Sequence, residues 1–564
     1  MKQTNTPQIK STLLRGTGIV SVLNLVSRLL GLVRDLLSAM VLGAGPISDC
    51  FYIAFRIPNL LRSFLAEGAL TSGFVPTMSE AAAKGKTEAQ ELLHACFIFF
   101  GIITLIISSA GIFYSHEIIK FIAPGISNQE SKLALATLLL QIMFPYLISI
   151  SLLSLINGAL NTYRIFGAAA WGQIIVNIFL IIGAIVAISL DQHGAAITLA
   201  ISFLVGGVFQ IIYQLGDLKK IGLRFQILPL RYSPAVTKIV QLMIPAAFGA
   251  AIYQITILLM TLLASLLPEG SVSWLYYADR VSQLPIGIFT IALGSVLLPT
   301  LATASANNNT LEFESNLSNS LRYTSFLIIP LTFGLFYYAQ DIVSLLFERG
   351  AFNEQDTIMS ALAIQASTFG LWAISIITLL NRAMIAKQNT LVPALLALAS
   401  LAVSLLIALL TMGPIETNIT NFIISSMVLI QMMLSRMFGE ANLSHVGLAF
   451  ASGGAATILL PIYAHCLKRI TGFDAWRAPL LATYRALIAS GVTSLIIFYP
   501  SIHLLQPIIL RIIVGLLAGI PIYLLTFRLL GGVETTETVH AFTRLTAKIS
   551  RRNSDSKTTP SSSS

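Results

Sequence analysis

The nine-residue stretch SRLLGLVRD, Ser27–Asp35, lies inside an apolar run that extends from residue 16 to residue 42. Arg28, Arg34 and Asp35 therefore carry charge within a segment long enough to cross a bilayer. On a helix, Arg28 would lie roughly 18 Å from one end of the run and 21 Å from the other, at about 1.5 Å per residue. Snorkelling does not readily bring a side chain from that depth to the interface. The stretch predicts a membrane helix that retains charges in its interior.

The composition of the whole chain favours a polytopic membrane protein. Of its 564 residues, 55% are hydrophobic and 10% are charged, whereas soluble domains carry about 25% charged residues. Long apolar runs recur from end to end, and the alternating pattern of a membrane β-barrel is absent. The expected fold class is therefore an all-α polytopic membrane protein.

The net charge of +10 has a simple explanation in such a protein. Lys and Arg gather in short loops, as the positive-inside rule predicts for the cytoplasmic side. The sequence contains no nucleic-acid-binding motif, so we expect no nucleic-acid partner. Its three cysteines, Cys50, Cys96 and Cys466, are too far apart in sequence to indicate a metal site or a disulfide framework.

The number of membrane spans follows from the apolar segments and the loop charges. Fifteen segments lie at 16–42, 47–77, 93–114, 133–161, 166–190, 194–215, 235–267, 271–300, 318–347, 357–386, 391–412, 419–438, 444–467, 478–499 and 504–530. The loop charges place both termini in the cytoplasm, which requires an even number of spans. The stretch 391–442 begins on the cytoplasmic side and must end on the periplasmic side, so it crosses the membrane an odd number of times. We predict fourteen spans, with one piece of that stretch re-entrant or interfacial, and we expect the first run to be retained as a span.

An internal repeat divides the chain. The pattern Tyr-x-Ala-x-Arg at 52–56 recurs at 276–280, and Pro-Thr within 75–77 recurs within 298–300. Each copy lies in the second helix of its half. Repeats whose interface holds a midplane site are typical of secondary transporters.

The repeat predicts two six-helix lobes related by pseudo-symmetry, followed by two further helices. The predicted divisions are an N-lobe at 1–215, a cytoplasmic inter-lobe loop at 216–238, a C-lobe at 239–470 with the extra apolar segment within 391–442, the two last helices at 471–532, and a largely disordered cytoplasmic tail at 533–564.

Charges inside the apolar segments are concentrated in the first two helices of each half. A charged residue at the centre of a bilayer costs about 2.5–3.5 kcal/mol on the insertion scale, so these residues are candidates for function. The candidates are Arg28, Arg34, Asp35, Asp49, Arg56, Arg62 and Glu67 in the first two segments, and Asp279 and Arg280 in the eighth.

Two interpretations of these charges are open from the residues alone. Asp35 lies seven residues after Arg28, and Arg56 seven after Asp49, so each pair shares a helix face and could form a buried ion pair that fixes helix registry. Alternatively, the five arginines outnumber the three aspartates and leave a surplus of positive charge. Guanidinium groups bind phosphate through bidentate charge-assisted hydrogen bonds, so the surplus would suit a phosphate-bearing ligand.

Other candidates leave alternatives open. Glu67 fits either a helix-end acid or a proton or cation site. Trp274, Tyr276 and Tyr277 at a helix start are more typical of an aromatic belt than of a ligand cage. Asn177 fits either helix–helix hydrogen bonding or a cavity lining.

The sequence gives no support to an enzyme. It contains no HExxH, no P-loop and no convincing nucleophile–base pair, so we assign no catalytic residue, metal or cofactor. Without a nucleotide-binding motif, transport is expected to depend on the membrane potential or on an ion gradient.

The strings SRLLGLVRD, SDCFYIAFRIPNLLRSFLAEGALTSGFVP and GSVSWLYYADR closely resemble the MurJ (MviN) family of lipid II flippases, within the multidrug/oligosaccharidyl-lipid/polysaccharide exporter superfamily. The likeness runs from about residue 12 to 390 and resumes from 443 to 530. It implies a 14-helix protein of the bacterial inner membrane with two lobes around a cationic cavity. Such a protein would move undecaprenyl-diphosphate-linked disaccharide-pentapeptide to the periplasmic leaflet by alternating access.

The resemblance also implies roles for individual residues. It places the cavity arginines at Arg28, Arg34, Arg62 and Arg280, and an important aspartate at Asp49. The charge argument adds Arg56 as a diphosphate-binding residue and Asp35, Asp279 and Glu67 as cavity or gating acids. The two last helices would form a hydrophobic groove for the lipid tail.

One position departs from the family pattern, since Gln283 stands where close relatives carry an acid. The implied partners are lipid II and membrane lipids, with other cell-wall synthesis proteins as further candidates. The alternative is a related exporter of another polyprenyl-linked glycan or of small-molecule cations, and a cation exporter should show surplus acids. A scaffold without transport would tolerate neutral replacements throughout the cavity.

Overall fold

The structure is a computed structural model of the 564-residue chain. It describes residues 6–65, 69–165, 167–224, 233–415, 422–439, 441–475 and 477–537. The candidate acid Glu67 lies outside these residues.

The described residues are almost entirely helical, and no strand occurs among them. The helices are α1 Thr6–Leu42, α2 Pro46–Leu65, α3 Ala69–Lys84, α4 Lys86–Phe113, α5 Ser115–Ile122, α6 Glu130–Met143, α7 Tyr146–Thr162, α8 Ala168–Ala187, α9 Gln192–Lys220, α10 Pro234–Ser265, α11 Ser271–Pro285, α12 Ile291–Ala306, α13 Thr310–Phe347, α14 Glu354–Ala386, α15 Leu391–Thr411, α16 Phe422–Phe438, α17 His445–Thr471, α18 Arg477–Thr493, α19 Tyr499–Leu504 and α20 Ile508–Leu529. A 3₁₀ turn at Pro124–Ile126 and π-helical segments at Ile286–Thr290 and Ser494–Phe498 complete the described secondary structure.

Many of these helices have the length and composition of membrane spans. Within the described ranges, 11 are long and apolar enough to cross a bilayer, and shorter apolar helices accompany them. This confirms the predicted all-α polytopic membrane class. The count of fourteen spans stays a prediction.

Prolines shape several helices. Pro145 separates α6 from α7, and Pro285 ends α11, which continues through a π-helical segment into α12. A proline lacks the N–H that would bond to the preceding turn, so the helix must adjust or bend there. The second helix of the second half is thus interrupted between α11 and α12.

The chain forms two compact units, each of which draws on several stretches of sequence. The first contains residues 1–277, 346–360 and 401–448. The second contains residues 278–345, 361–400 and 449–564. The predicted division into an N-lobe and a C-lobe stays a prediction.

The first unit packs tightly around α3, α4 and α7. Phe74, Leu93 and Ile156 are fully buried in one apolar cluster. A Cβ atom at Gly158 would lie 2.6 Å from a ring carbon of Phe74, so glycine is needed for this close approach. Small residues that let neighbouring helices approach are the usual packing device in membranes, where burial from water contributes little between helices.

The predicted extra apolar segment corresponds to α16. Met412, just after α15, pairs with Asn442, just before α17, in an isolated antiparallel bridge. Leu443 also donates its backbone N–H to the carbonyl of Thr411 at 2.9 Å. The insert therefore leaves and returns at one place, as expected for a re-entrant or interfacial piece.

In the second unit, the C-terminal helices α18 and α20 pack against α13. Phe326 and Phe527 are buried with ring centroids 4.8 Å apart, and the hydroxyl of Tyr523 donates to the carbonyl of Phe326 at 2.6 Å. Arg511 at the start of α20 forms an ion pair with Asp341 of α13 at 2.9 Å. These contacts fix the last helices to α13.

Candidate functional site

Arg34 is the centre of a polar network that joins three helices of the first unit. Its Nε and Nη2 donate to Oδ1 of Asp35 at 3.0 and 2.8 Å, and its Nη1 donates to Oδ1 of Asn177 on α8 at 3.0 Å. Asn177 also donates to the carbonyl of Ser27 at 3.1 Å, and Tyr276 of α11 donates to Asp35 at 3.3 Å. Asp35 is buried, so its charge is compensated by the guanidinium and not by water.

Helix spacing predicts that Asp35 pairs with Arg28. In the structure, Asp35 pairs with Arg34 instead. Arg28 has an exposed side chain and makes no hydrogen bond or ion pair within the described part of the chain. Arg34, adjacent to Asp35, folds its long side chain back onto the carboxylate. Helix spacing predicts where a side chain leaves the helix, whereas the reach of a guanidinium decides which acid it meets.

Asp49 fastens the start of α2 to the start of α11. Its Oδ2 accepts the backbone N–H of Gly270 at 2.7 Å, and its Oδ1 accepts the N–H and the hydroxyl of Ser273 at 2.8 and 2.6 Å. The first N–H groups of a helix have no partner within it, and the helix dipole favours an anion there. Asp49 therefore acts as an N-terminal cap supplied by another helix.

A glycine and a serine pair allow this contact to form. Gly270 has a φ of +93°, and a Cβ atom there would lie 2.6 Å from the carbonyl oxygen of Ala44. The hydroxyls of Ser48 and Ser273 are 2.8 Å apart. The two chain segments can approach this closely because neither carries a bulky side chain at the contact.

The two tyrosines of the sequence repeat lie on top of one another. Tyr52 and Tyr276 stack with ring centroids 3.8 Å apart, and Tyr52 donates to the hydroxyl of Tyr277 at 2.8 Å. Tyr277 is fully buried and packs against Phe347 and Phe352.

The prediction of an aromatic belt at the start of α11 is therefore wrong. A belt needs side chains exposed at the membrane interface, but Trp274, Tyr276 and Tyr277 are all buried. The indole N–H of Trp274 donates instead to Asp356 at 3.1 Å. The recurrence of tyrosine at the same place in both copies of the repeat was the signal that could have revealed this contact.

Two arginines of α2 each donate a hydrogen bond to a neutral side chain. Arg56 donates to the hydroxyl of Thr261 on α10. Arg62 donates through Nε to the side chain of Asn59 at 2.8 Å, one turn earlier in the same helix. Both arginines are half-buried, so they sit at polar positions within an apolar helix.

Arg280 and Asp279 belong to the second unit. Asp279 is exposed and accepts a hydrogen bond from Gln283 at 2.6 Å, one turn further along α11. Arg280 is half-buried. Gln283, which departs from the family pattern, thus donates a hydrogen bond to Asp279, a predicted cavity acid.

An exposed ion pair near the start of α10 connects this helix to α3. Nζ of Lys238 lies 2.8 and 2.9 Å from the two carboxylate oxygens of Glu80. The hydrogen bond and charge of Lys238 lower the pKa of the Glu80 carboxyl. Exposed pairs of this kind contribute little to stability. Within the described ranges, no group of three His, Cys, Asp or Glu residues could hold a metal ion.

Comparison with known proteins identifies relatives over most of the chain. The family model for lipid II flippase MurJ matches residues 38–422. A probable lipid II flippase MurJ of Buchnera aphidicola subsp. Acyrthosiphon pisum is 35% identical over 377 residues, which are 66% of this chain and 73% of the relative. The lipid II flippase MurJ of Burkholderia cenocepacia is 34% identical over 397 residues, which are 70% of this chain and 77% of the relative.

Solved structures share the fold. A structure titled lipid II flippase MurJ, inward closed conformation, has a TM-score of 0.72 at 24% identity, covering 92% of this chain and 99% of that chain. An inward-facing multidrug resistance MATE family transporter of the MOP superfamily has a TM-score of 0.60 at 14% identity, covering 79% of this chain and 96% of that chain. The chain has the helical fold of these transporters, and by its match over residues 38–422 it belongs to the lipid II flippase MurJ family.

Proposed function

We propose that this protein is a flippase of the bacterial inner membrane that moves lipid II from the cytoplasmic to the periplasmic leaflet by alternating access. Its termini lie in the cytoplasm. The diphosphate of the substrate binds to arginines in the membrane-spanning helices, namely Arg28, Arg34, Arg56, Arg62 and Arg280.

The observation that carries this proposal is the way the aspartates of the same helices are engaged. Asp49 accepts three hydrogen bonds from neutral donors, and Asp279 accepts one from Gln283. Neither carboxylate accepts a hydrogen bond from an arginine among the described residues, which supports an excess of guanidinium charge. A diphosphate supplies the complementary negative charge, and arginine forks match its oxygens.

Asp49 and Asp35 are proposed as gating acids. Both connect to α11, Asp49 through Gly270 and Ser273, and Asp35 through Tyr276. Alternating access requires contacts that form in one state and break in another. We propose that separation of α2 from α11 opens a path to the periplasm and that these hydrogen bonds hold it shut.

The C-terminal helices are proposed to receive the lipid tail. Their outward faces are apolar and exposed, as shown by Leu480 on α18 and Leu517 on α20. A long isoprenoid chain needs an apolar surface that continues into the membrane, whereas its diphosphate needs the arginines.

Replacement of single arginines tests the proposal. Arg28→Ala or Arg280→Ala should abolish support of growth in a strain depleted of the native protein, because each removes a diphosphate contact. Immunoblots of membrane fractions should show unchanged insertion, and Arg164→Ala, at an exposed position of a predicted cytoplasmic loop, is the matched control. Normal growth of both variants would contradict a binding role for the arginines.

A direct assay addresses the substrate. Periplasmic exposure of lipid II should fall after rapid inactivation of this protein. Unchanged exposure would remove the assignment to lipid II. We also propose the membrane potential or an ion gradient as the energy source. Loss of that potential or gradient should then stop the periplasmic exposure of lipid II.

A second candidate is an exporter of another polyprenyl-linked glycan or of small cations, since the chain shares its fold with a MATE transporter. A cation exporter would need acids in surplus over arginines. The five arginines and three aspartates of this region favour the anionic substrate.

A further inference from the structure

The first unit contains an apolar pocket of about 450 Å³ that is separate from the arginines' polar contacts. It is bounded by α2, α4, α5, α10 and the junction between α6 and α7. Its walls include Ile57, Leu60, Ile107, Phe144 and Leu258, and its lining is almost wholly apolar. The volume lies within the range of about 300–1,000 Å³ that is usual for sites of small ligands.

The pocket opens on the outer face of α4. Ile106, which lines it, is 62% exposed, and α4 is one of the helices long and apolar enough to cross a membrane. Phe113, Tyr114 and Phe121 are exposed together at the end of α4 and on α5. Exposed aromatic side chains mark the membrane interface, so the mouth of the pocket lies in the hydrocarbon just below it.

The short helix α5 closes the interfacial end of the pocket. It buries Ile119 and Ile122 and exposes charged residues on its other face. The following turn is held against α10, where a Cβ atom at Gly125 would lie 1.7 Å from the carbonyl oxygen of Ser265. The backbone contact fixes the turn that follows α5.

A second pocket of about 850 Å³, lined by both apolar and polar side chains, borders α5 and the turn that follows it. Glu117, Lys120 and Asn128 line it, and Nζ of Lys120 lies 3.8 Å from the carboxylate of Glu117. Ile118 and Ile122 line both pockets, so the two adjoin along these side chains of α5. The apolar pocket thus adjoins a second pocket whose lining carries one positive and one negative charge.

We propose that these two pockets together bind one zwitterionic phospholipid. A hydrocarbon chain fills the apolar pocket, the phosphate pairs with Lys120, and the amine of the headgroup pairs with Glu117. A purely anionic headgroup would meet repulsion from Glu117, and a neutral lipid would offer no charges to complement those of Lys120 and Glu117. The bound hydrocarbon chain packs against Ile57 and Leu60. These residues lie on the stretch of α2 that carries Arg56 and Arg62, so the lipid stabilises the position of that stretch.

Binding can be measured on the purified full-length protein, stripped of lipid in detergent and titrated with phosphatidylethanolamine under native mass spectrometry. Ala110→Phe fills the apolar pocket and should weaken binding by about tenfold, the effect of losing roughly 1.4 kcal/mol. Ser109→Phe makes a similar small-to-aromatic change at the neighbouring exposed position, outside the pocket lining, and should bind as the wild type. Equal binding by Ala110→Phe and the wild type would overturn the proposal.

A second variant tests the same pocket with a smaller risk of misfolding. Ile106→Trp narrows the same mouth from a position that is already largely exposed, so folding should tolerate it. It should also weaken binding of phosphatidylethanolamine, while gel filtration shows an unchanged particle. A correctly folded Ile106→Trp protein with wild-type binding would likewise overturn the proposal.

The headgroup contacts have their own test. Lys120→Ala should reduce binding of phosphatidylethanolamine to the level of diacylglycerol and leave diacylglycerol binding unchanged. Glu117→Gln should raise the affinity for phosphatidylglycerol relative to phosphatidylethanolamine. Stronger binding of undecaprenyl phosphate than of phosphatidylethanolamine by the wild type would assign the pocket to polyprenyl lipids and overturn the proposal. None of these assays depends on transport of lipid II.

Discussion

Two aspartates accompany the Tyr-x-Ala-x-Arg repeat, one just before the first copy and one within the second, and they have opposite surroundings. Asp49, three residues before Tyr52, is 7% exposed and accepts three hydrogen bonds at the start of α11. Asp279, three residues after Tyr276, is exposed and accepts one hydrogen bond from Gln283. An aspartate close to the motif therefore fastens helices in one copy, whereas an aspartate within the motif is exposed in the other.

The difference teaches that a membrane carboxylate acquires its role from the donors around it. A hydrogen bond to a charged group contributes about 1.5–3 kcal/mol, and a buried acceptor left without its donors costs a similar amount. Asp49 has three such bonds and little water to replace them. Asp279 can exchange its single bond for solvent or for a ligand.

The largest effect is expected for Asp49→Asn. The amide keeps the shape of the side chain but turns one acceptor into a donor that faces Gly270 or Ser273. Loss of one charge-assisted bond, about 1.5–3 kcal/mol, should shift the contact between α2 and α11 by about tenfold or more. Growth support in a depleted strain should fall steeply at matched membrane abundance, and growth equal to the wild type would break the comparison.

An intermediate effect is expected for Arg34→Lys. An ammonium group cannot present the planar fork that bonds Asp35 and Asn177 together, although it keeps the charge. Loss of the Asn177 bond, about 0.5–1.5 kcal/mol, predicts a decrease of roughly two- to tenfold in lipid II exposure. Arg164→Lys, in an exposed loop position, is the control and should behave as the wild type. Full activity of Arg34→Lys would show that charge alone matters there.

The smallest effect on stability is expected for Asp279→Asn. The residue is exposed, and exposed substitutions usually change stability by no more than about 0.5 kcal/mol. Thermal unfolding of the purified protein should therefore match the wild type, in contrast to Asp49→Asn. Any loss of transport would then report on ligand contact, while strong destabilisation would place Asp279 in the same class as Asp49.

Much of the fold can be predicted from the sequence, because apolar runs of membrane length leave few alternatives to helices. The repeat also indicated the region where the tyrosines meet. The hydrogen-bond partners could not be predicted in the same way. Asp49 is bound partly by backbone N–H groups at a helix start, which no side-chain pattern displays. Arg34 reaches its own neighbour because its side chain is long and flexible, and helix spacing does not describe that reach.

The apolar pocket that we propose for a phospholipid contains no sequence motif that could have revealed it. Its walls come from α2, α4, α5, α10 and the junction between α6 and α7, none of which indicates a pocket when it is considered alone. The pocket exists because α5 is short, begins immediately after α4, and is followed by a glycine that meets α10. Only the packing of these elements reveals it.

The bridge between Met412 and Asn442 has an evolutionary consequence. Since the chain re-emerges beside the point at which it departed, any peptide accommodated between those two residues leaves the direction of α17 and of every later helix unchanged. This position can accept, enlarge or lose an accessory element without inverting the remainder of the protein.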